Sequence, residues 1–224
     1  MDILSSLLTL ASGVGWTLAY LAIIYRGFKD ETYGMPLFAL ALNITWEFLF
    51  AFLFRDIFSL QVVINIVWFF FDLVILYTYL RYGRKEWPGT VDPRWFAPWT
   101  WLAIGMAFVT QYFASLEFSP LLAPAYSALV GNLVMSVLFI HMLVRRDGIE
   151  GQSMGIALFK WLGTAAATAF LYLDTGSNLV LALGASAFVF DLIYGGMLYH
   201  KFWELGLWPF TRQPANSSEV DTPG

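Results

Sequence analysis

Seven apolar stretches, each about 20 residues long, occupy almost the whole chain. They cover approximately residues 3–25, 35–54, 60–80, 99–119, 121–144, 153–173 and 179–200. A helix needs about 20 mostly apolar residues to cross the hydrocarbon core of a bilayer. The stretches therefore predict an all-α fold, a polytopic membrane protein built as a seven-transmembrane helix bundle.

The composition supports this class and excludes several others. Hydrophobic residues make up 59% of the chain and charged residues 12%, which is far from the composition of a soluble domain. The absence of cysteine excludes disulfides, thiolate chemistry and cysteine-ligated metal. The net charge of −4 must lie mostly in short loops and the C-terminal tail. It gives no reason to expect a nucleic-acid partner.

The distribution of lysine and arginine predicts the orientation in the membrane. These residues cluster after helices 1, 3, 5 and 7, whereas the connections on the other side contain only Arg55. The positive-inside rule then places the C-terminus in the cytoplasm and the N-terminus in the lumen or the exterior. We expect residues 1–210 to form one transmembrane domain. Residues 211–224, rich in Ser, Pro, Thr and acidic residues, are expected to form a disordered cytoplasmic tail.

Three carboxylates lie near the middle of predicted helices. Glu47, Asp72 and Asp191 are each about twelve residues into helices 2, 3 and 7. An ionisable group near the bilayer centre costs roughly 2.5–3.5 kcal/mol or more, so each carboxylate is a candidate functional residue. The alternative is that each one only bridges helices by hydrogen bonds.

Helical spacing places further polar and aromatic side chains on the same helix faces as the three carboxylates. Those side chains belong to Asn43, Trp46, Asn65, Trp68 and Tyr194. We expect the faces to converge on a shared interior that binds a substrate. Aromatic faces stabilise a cation by roughly 0.5–2 kcal/mol each, so Trp46, Trp68 and Tyr194 are candidates to line the path of a cation.

No arginine or histidine lies within a span where it could pair with the carboxylates. Lys160 lies about a turn and a half into helix 6, and His141 and His200 are near helix ends. Burial and mutual repulsion favour the neutral form of a carboxyl group. We therefore expect at least one of the three to carry a proton that it can donate. A buried acid beside a dry, aromatic-lined pocket is what carbocation chemistry requires.

From the residues alone, an enzyme and a proton-coupled transporter are equally supported. A transporter also places carboxylates at the midplane, although no paired broken helices occur in matching halves of this chain. A retinal protein is a third class, but it needs a lysine within helix 7. The lysine in that region, Lys201, lies at the helix end.

Two blocks of sequence, one near the N-terminus and one in the last span, form an ordered set of motifs. They are Gly13-Val14-Gly15-Trp16, Tyr20, Ile24-Tyr25, Phe28-Lys29-Asp30-x-Thr32-Tyr33-Gly34-Met35, Asn43-x-x-Trp46-Glu47 and Asp191-x-x-Tyr194-Gly195. The set resembles the integral membrane terpene cyclases of fungal meroterpenoid and indole-diterpene biosynthesis, the family of the pyripyropene and paxilline cyclases. The resemblance covers nearly all seven spans.

The resemblance implies an enzyme that protonates the terminal epoxide, or in some members the terminal alkene, of a prenyl chain and directs cation–olefin cyclisation. The acidic residues required in the family correspond to Glu47 and Asp191. One would donate the proton and the other would tune it, for example by sharing a proton. Asn43 would orient Glu47. Asp72 lies where the family is less uniform, and Lys160 stands where some relatives have arginine.

The resemblance also implies a substrate, partners and a location. The substrate would be a lipophilic farnesyl- or geranylgeranyl-type chain on an aromatic, pyrone or indole head, and it would enter from the membrane lipid. A prenyltransferase and an epoxidase would supply it, at the endoplasmic reticulum. No metal or other cofactor is expected, because the chain has neither the Asp-Asp-x-x-Asp nor the Asp-x-Asp-Asp motif of soluble terpene cyclases.

Overall fold

Each predicted span forms a helix, because a backbone surrounded by lipid must satisfy its own hydrogen bonds. The computed structural model describes residues 3–55 and 59–214. The described residues form seven long helices: α1 (Ile3–Lys29), α2 (Leu37–Phe48), α3 (Leu60–Tyr82), α4 (Phe96–Glu117), α5 (Leu122–Arg145), α6 (Met154–Thr175) and α7 (Asn178–Glu204). Among them there is no strand, only an isolated bridge between Leu207 and Pro214. The predicted all-α seven-helix bundle is confirmed.

The helices differ in how readily they cross a bilayer. By length and hydropathy, α1, α3, α5, α6 and α7 qualify as membrane spans, and α4 is 22 residues long. The second span is shorter. It consists of α2 and a single π-helical turn, Leu49–Leu53, that follows α2 directly. Such turns occur often at functional sites. This one begins two residues after Glu47.

Serine residues begin three of the helices. Ser59, Ser153 and Ser177 each accept a hydrogen bond from the backbone N–H three residues later, at the starts of α3, α6 and α7. These bonds satisfy donors that the first helical turn leaves without a partner. Gly176, with φ of 62°, adopts the left-handed conformation that closes α6. Only two residues join α6 to α7, so the two helices are antiparallel neighbours.

Helix packing brings two groups of helices together around the interior. The main partner of α1 is α6, and α7 packs against both α5 and α6. On the other side, α2 contacts α3, α4 and α5. Close approach of α1 and α6 depends on two glycines, because a Cβ on Gly15 would lie 2.9 Å from the backbone N of Gly163. Small residues at such crossings are typical of membrane bundles.

The polarity of the bundle is the reverse of that in a soluble protein. Ionisable side chains lie inside, with Glu47, Asp72, Lys160 and Asp191 all 2% exposed or less. Large apolar side chains are exposed on the outer surface, among them Leu7, Leu21, Phe70, Phe113 and Leu192. A surface of this kind matches lipid rather than water. The chain is therefore organised as an integral membrane protein.

Ion pairs join the ends of α1, α3 and α5 and the segment after α7, and we call this the basic end. Arg146 pairs with Glu86 at 2.8 Å. Asp30 accepts hydrogen bonds from Arg26 (2.9 Å) and Arg212 (3.2 Å). The loops at this end are thereby fixed to one another by buried or half-buried charges.

The start of the predicted tail is part of the basic end. The backbone N–H of Trp208 donates to the carbonyl of Gln213 at 2.8 Å, and Arg212 also donates to the carbonyl of Ile149 at 2.7 Å. Residues 211–214 therefore fold back onto the bundle. The rest of the predicted tail, residues 215–224, lies outside the described residues.

Candidate active site

Four side chains, three of them buried and one partly buried, form a cluster that contains the carboxyl group of Glu47. This acid cluster consists of Tyr20 on α1, Asn43 and Glu47 on α2, and Asp72 on α3. The Tyr20 hydroxyl donates to Oε1 of Glu47, and Nδ2 of Asn43 donates to the Tyr20 hydroxyl. The same Nδ2 is 3.3 Å from Oδ2 of Asp72. Two carboxyl groups thus belong to one hydrogen-bonded cluster.

The second oxygen of each carboxyl group in the acid cluster is buried and receives no hydrogen bond from a described donor group. These atoms are Oε2 of Glu47 and Oδ1 of Asp72. The two carboxyl groups lie close enough to hydrogen-bond to each other, which requires one of them to carry a proton. The pair can therefore hold one shared proton.

A cavity of about 270 Å³ lies beside the acid cluster. Its wall includes Trp16, Tyr20, Asn43, Trp46, Glu47, Trp68, Ser127 and Asn132. Towards the end of the bundle opposite the basic end, it is lined by Thr9, Gln61, Pro120, Leu121 and Asp174. The cavity therefore extends from Glu47 in the interior to that opposite end.

The aromatic side chains of the cavity wall are held by their polar atoms. Trp46 Nε1 donates to Oγ of Ser127 at 3.0 Å, which ties α2 to α5. Trp68 Nε1 donates to Oγ1 of Thr17 at 3.0 Å, and its ring stacks on Tyr20 with centroids 5.9 Å apart. Because the N–H groups are satisfied, the rings are fixed and their apolar faces remain available.

Three of the residues predicted to bind substrate do not line this cavity: Asn65, Asp72 and Tyr194. Asn65 accepts a hydrogen bond from Gln61 at 2.7 Å. Asp72 contacts the cavity residue Asn43, and Tyr194 donates to Gln152 at 3.3 Å. Their role in substrate binding stays a prediction.

Asp191 lies in a second buried cluster, which contains a cation. This lysine cluster consists of Asn132 and Ser136 on α5, Lys160 on α6 and Asp191 on α7. Lys160 Nζ is 2.6 Å from Oδ1 of Asp191, and both side chains are 1% exposed. The expectation that no cation reaches the carboxylates is wrong for Asp191. Lysine carries its charge on a flexible four-carbon stem, so Nζ reaches well beyond its own backbone level.

The hydrogen bonds of the described residues do not join Glu47 to Asp191. Glu47 belongs with Asp72, and Asp191 belongs with Lys160. Trp16 connects the two clusters, since its ring is 6.4 Å from that of Tyr20 and 5.6 Å from Lys160 Nζ. The two predicted acidic residues therefore occupy chemically different environments.

Sequence reasoning assigned no site role to Tyr20, Trp16 or Asn132. The sequence does indicate that these residues share helix faces. Trp16 and Tyr20 are one turn apart on α1, and Asn132 and Ser136 are one turn apart on α5. Spacing shows that two residues share a helix face. It does not show which neighbouring helix that face meets.

A larger concavity of about 880 Å³ lies at the basic end and is rich in tryptophan, including Trp87, Trp95 and Trp99. Its carboxylate, Glu86, is paired with Arg146 at 2.8 Å. A carboxylate held by an arginine is a poor proton donor. We therefore assign the candidate active site to the smaller cavity beside Glu47.

Comparison with known proteins gives relatives along most of the chain. The profile of the Pyr4-like transmembrane terpene cyclases matches residues 1–203. The Pyr4-family terpene cyclase mfmH of Annulohypoxylon moriforme is 32% identical over 169 residues, which are 71% of this chain and 66% of that protein. Asnovolin H synthase nvfL of Aspergillus novofumigatus is 26% identical over 212 residues, 89% of this chain and 87% of that protein. Terpene cyclase pyr4 of Aspergillus fumigatus is 28% identical over 164 residues, which are 73% of this chain and 68% of that protein.

No solved structure matches the chain. The match to the family profile nevertheless extends from the first residue almost to the end of α7. It therefore includes the acid cluster, the lysine cluster and the cavity between them. This protein belongs to the Pyr4-like transmembrane terpene cyclases.

Proposed function

We propose that the protein is a terpene cyclase that starts its reaction by protonation, without a metal ion, on a lipophilic prenylated substrate. The observation that carries this proposal is the pair of buried carboxyl groups of Glu47 and Asp72 in one hydrogen-bonded cluster, with Glu47 on the wall of an aromatic-lined cavity. An isolated carboxylate is very costly to bury in apolar surroundings. The acid cluster therefore holds at least one proton, and Glu47 can donate it.

The proposed first step transfers the proton on Glu47 Oε2 to the terminal epoxide oxygen of the prenyl chain. The epoxide C–O bond breaks, which leaves a hydroxyl group and a carbocation. The next double bond attacks that cation and forms a C–C bond, and the step repeats along the chain. In an alkene substrate the proton adds directly to carbon. The last cation loses a proton to a base, so substrate and product are isomers. Transfer of that proton from the base back to Glu47 restores the acid.

Protein groups around the cavity support each stage. The Tyr20 hydroxyl, which donates to Oε1, stabilises the carboxylate that remains after proton transfer. The faces of Trp16, Trp46 and Trp68 stabilise the moving positive charge, at roughly 0.5–2 kcal/mol each. A dry wall also keeps out water that would capture the cation.

The remaining predicted residues support this centre, and the proposed substrate is the class that the family resemblance implies. Asn43 and Asp72 tune the acid within the acid cluster, and Asp191 acts through Lys160. Asn65 and Tyr194 are proposed to contribute to substrate binding. The substrate is a farnesyl- or geranylgeranyl-type chain on an aromatic, pyrone or indole head, made by a prenyltransferase and an epoxidase. It enters from the lipid of the endoplasmic reticulum, where the C-terminus faces the cytoplasm and the N-terminus the lumen.

The test uses microsomes that contain the protein and a panel of farnesyl- and geranylgeranyl-substituted hydroxybenzoates, hydroxypyrones and indoles, each as the terminal alkene and as its epoxide. Cyclised isomers are measured by liquid chromatography and mass spectrometry. We expect Glu47→Gln to lower the rate per mole of inserted protein by at least about 100-fold, because general acid catalysis is worth about 10²–10⁴-fold. Asp191→Asn should also lose activity.

A matched control is Glu204→Gln at the exposed end of α7, at the basic end of the bundle and not among the residues that line the cavity, which should keep the wild-type rate. Near-wild-type cyclisation by the Glu47→Gln variant would overturn the assignment of the acid. The transporter alternative predicts that every compound is taken up into proteoliposomes and recovered unchanged.

A further inference from the structure

The lysine cluster is a buried charged centre that the proton-transfer step does not use. Lys160 Nζ lies 2.6 Å from Asp191 Oδ1, 2.7 Å from Ser136 Oγ and 3.1 Å from Asn132 Oδ1. Lys160 and Asp191 are each 1% exposed. The protonation state of this pair decides whether Asp191 can be a proton donor.

The hydrogen bonds around the lysine cluster determine that protonation state. The Ser136 hydroxyl donates to the carbonyl of Asn132 at 2.9 Å, so its oxygen can accept from Lys160. Asn132 Nδ2 donates to Oγ1 of Thr164 at 3.0 Å, which turns Oδ1 towards Lys160. Lys160 therefore faces three acceptors. An ammonium satisfies all three with its own N–H groups, whereas a neutral amine has only two and would need Asp191 to carry a proton and donate it to Nζ.

A lysine ammonium in this position requires an ionised Asp191. A buried cation without a counter-ion is strongly destabilising, and Asp191 is the carboxylate that contacts Nζ. Asp191 also differs from Glu47 in position, because it is not among the residues that line the cavity. Asn132 and Trp16 do line it, and both contact Lys160: Nζ is 3.1 Å from Asn132 Oδ1 and 5.6 Å from the ring of Trp16.

We propose that Asp191 is a positioning residue held permanently as a carboxylate by Lys160, and that Glu47 is the only proton donor. The ion pair fixes Asn132 and Trp16 on the cavity wall. It also neutralises an ammonium that would otherwise oppose a carbocation nearby. This inference rests on the proposed function in one respect, namely that the cavity is where the cation forms.

The first test is spectroscopic and needs no turnover. Infrared spectra of the purified protein are recorded for wild type, Glu47→Gln and Asp191→Asn, in the carbonyl-stretch region of protonated carboxyl groups. We expect Glu47→Gln to change the protonated-carboxyl band and Asp191→Asn to leave it intact while removing intensity from the carboxylate bands. Loss of a protonated-carboxyl band in Asp191→Asn would overturn the proposal. Because no substrate is present, this result is independent of whether the protein cyclises prenyl chains.

The second test is rescue of activity by removal of the cation. Asp191→Asn alone leaves the ammonium without a counter-ion, so the rate per mole of folded protein should fall by at least about tenfold. The double variant Lys160→Met with Asp191→Asn removes both charges and should recover most of that loss. A folded double variant that is as inactive as Asp191→Asn would overturn the proposal that Asp191 acts as the counter-ion of Lys160.

The double variant also covers the case in which Asp191→Asn does not accumulate. Its infrared spectrum is then compared directly with that of the wild type, and the protonated-carboxyl band should be unchanged. A missing band in the double variant would overturn the proposal in the same way. Folding is monitored by size-exclusion chromatography in detergent, so that activity is always expressed per mole of monodisperse protein.

Discussion

Tyr20 is the hydroxyl donor to the acid cluster. Its hydroxyl donates to Glu47 and accepts from Asn43, which also contacts Asp72. A single hydroxyl group therefore fixes Oε1 of Glu47 and leaves Oε2 for the proton that the proposed mechanism requires. This arrangement makes Tyr20 a partner of the acid rather than only an aromatic wall.

Tyr20→Phe is expected to slow cyclisation without preventing insertion. The substitution removes a hydrogen bond worth about 1–3 kcal/mol to the carboxylate that forms during proton transfer, a loss of roughly 5- to 150-fold in rate. The rate is measured as product formed per mole of protein in microsomes. The ring remains, so stacking on Trp68 and the cavity wall are preserved.

Tyr199→Phe is the matched control for the tyrosine substitution. Tyr199 is 45% exposed on α7 and packs against Trp203, away from the cavity. Its variant should cyclise at the wild-type rate. If Tyr20→Phe also kept that rate, the hydroxyl would have no part in the acid chemistry.

At the scale of elements, the crossing of α1 and α6 is the contact that links the two clusters. Trp16 and Tyr20 are on α1, and Lys160 is on α6. The helices meet closely because Gly15 and Gly163 carry no side chains at the contact. The position of Trp16 between the clusters therefore depends on this crossing.

Gly15→Ala is expected to destabilise the bundle. The new Cβ would lie 2.9 Å from the backbone N and 3.0 Å from the Cα of Gly163, so the two backbones must move apart. Overpacking of this kind costs about 1–3 kcal/mol, equivalent to a fall of about 2–12 °C in the melting temperature of a protein this size. The measurement is a thermal melt in detergent, followed by size-exclusion chromatography.

Gly105→Ala on α4 is the control for this substitution. A Cβ at Gly105 meets nothing within 4 Å, and alanine favours a helix over glycine by about 1 kcal/mol. Its melting temperature should be unchanged or slightly higher. Equal melting temperatures for the Gly15→Ala and Gly105→Ala variants would contradict the close crossing of α1 and α6.

At the scale of the whole molecule, the basic end joins parts of the chain that are far apart in sequence. Asp30 contacts Arg26 and Arg212 and also accepts from the backbone N–H of Gly151 at 2.8 Å. One carboxylate thus holds α1, the loop between α5 and α6, and the segment after α7. This end closes the bundle on the side away from the opening of the cavity.

Arg212→Ala is expected to lower thermal stability and to leave cyclisation unchanged. Arg212 donates to Asp30 at 3.2 Å and to the carbonyl of Ile149 at 2.7 Å. Loss of these charge-assisted bonds should cost about 1–3 kcal/mol, and the cavity is unaffected because it lies on the other side. The melting temperature and the rate of product formation are measured on the same preparation.

Arg94→Ala is the control at the basic end. Its side chain is 80% exposed and pairs locally with Asp92, and such surface pairs contribute little. The variant should have the same melting temperature as the wild type. A melt of Arg212→Ala that coincides with the wild type would show that residues 211–214 do not contribute to stability.

Much of the fold could be predicted from the sequence, since helix length in a membrane is set by the bilayer. The predicted stretch 60–80 became Leu60–Tyr82, and 153–173 became Met154–Thr175. The largest shift at a helix start is in α4, predicted from residue 99 and observed from Phe96. Proline is tolerated in a first helical turn because no hydrogen bond is lost there, so Pro98 does not block the earlier start.

The sequence alone determined the class of the molecule and its unusual residues. Apolar length requires seven helices, and the cost of burying Glu47, Asp72 and Asp191 in lipid makes them candidate functional residues wherever the helices lie. The family motifs indicated the type of reaction. The helix count and the unusual residues follow from properties that each helix has by itself.

Only the tertiary structure decided how those residues are paired. Periodicity shows which side chains share a face, but the rotation of each helix against its neighbours determines which faces meet. That rotation places Glu47 with Tyr20 and Asp72, and it places Asp191 with Lys160. The carboxyl groups of the acid cluster thereby have no lysine beside them, whereas the carboxyl group of Asp191 contacts the Lys160 side chain.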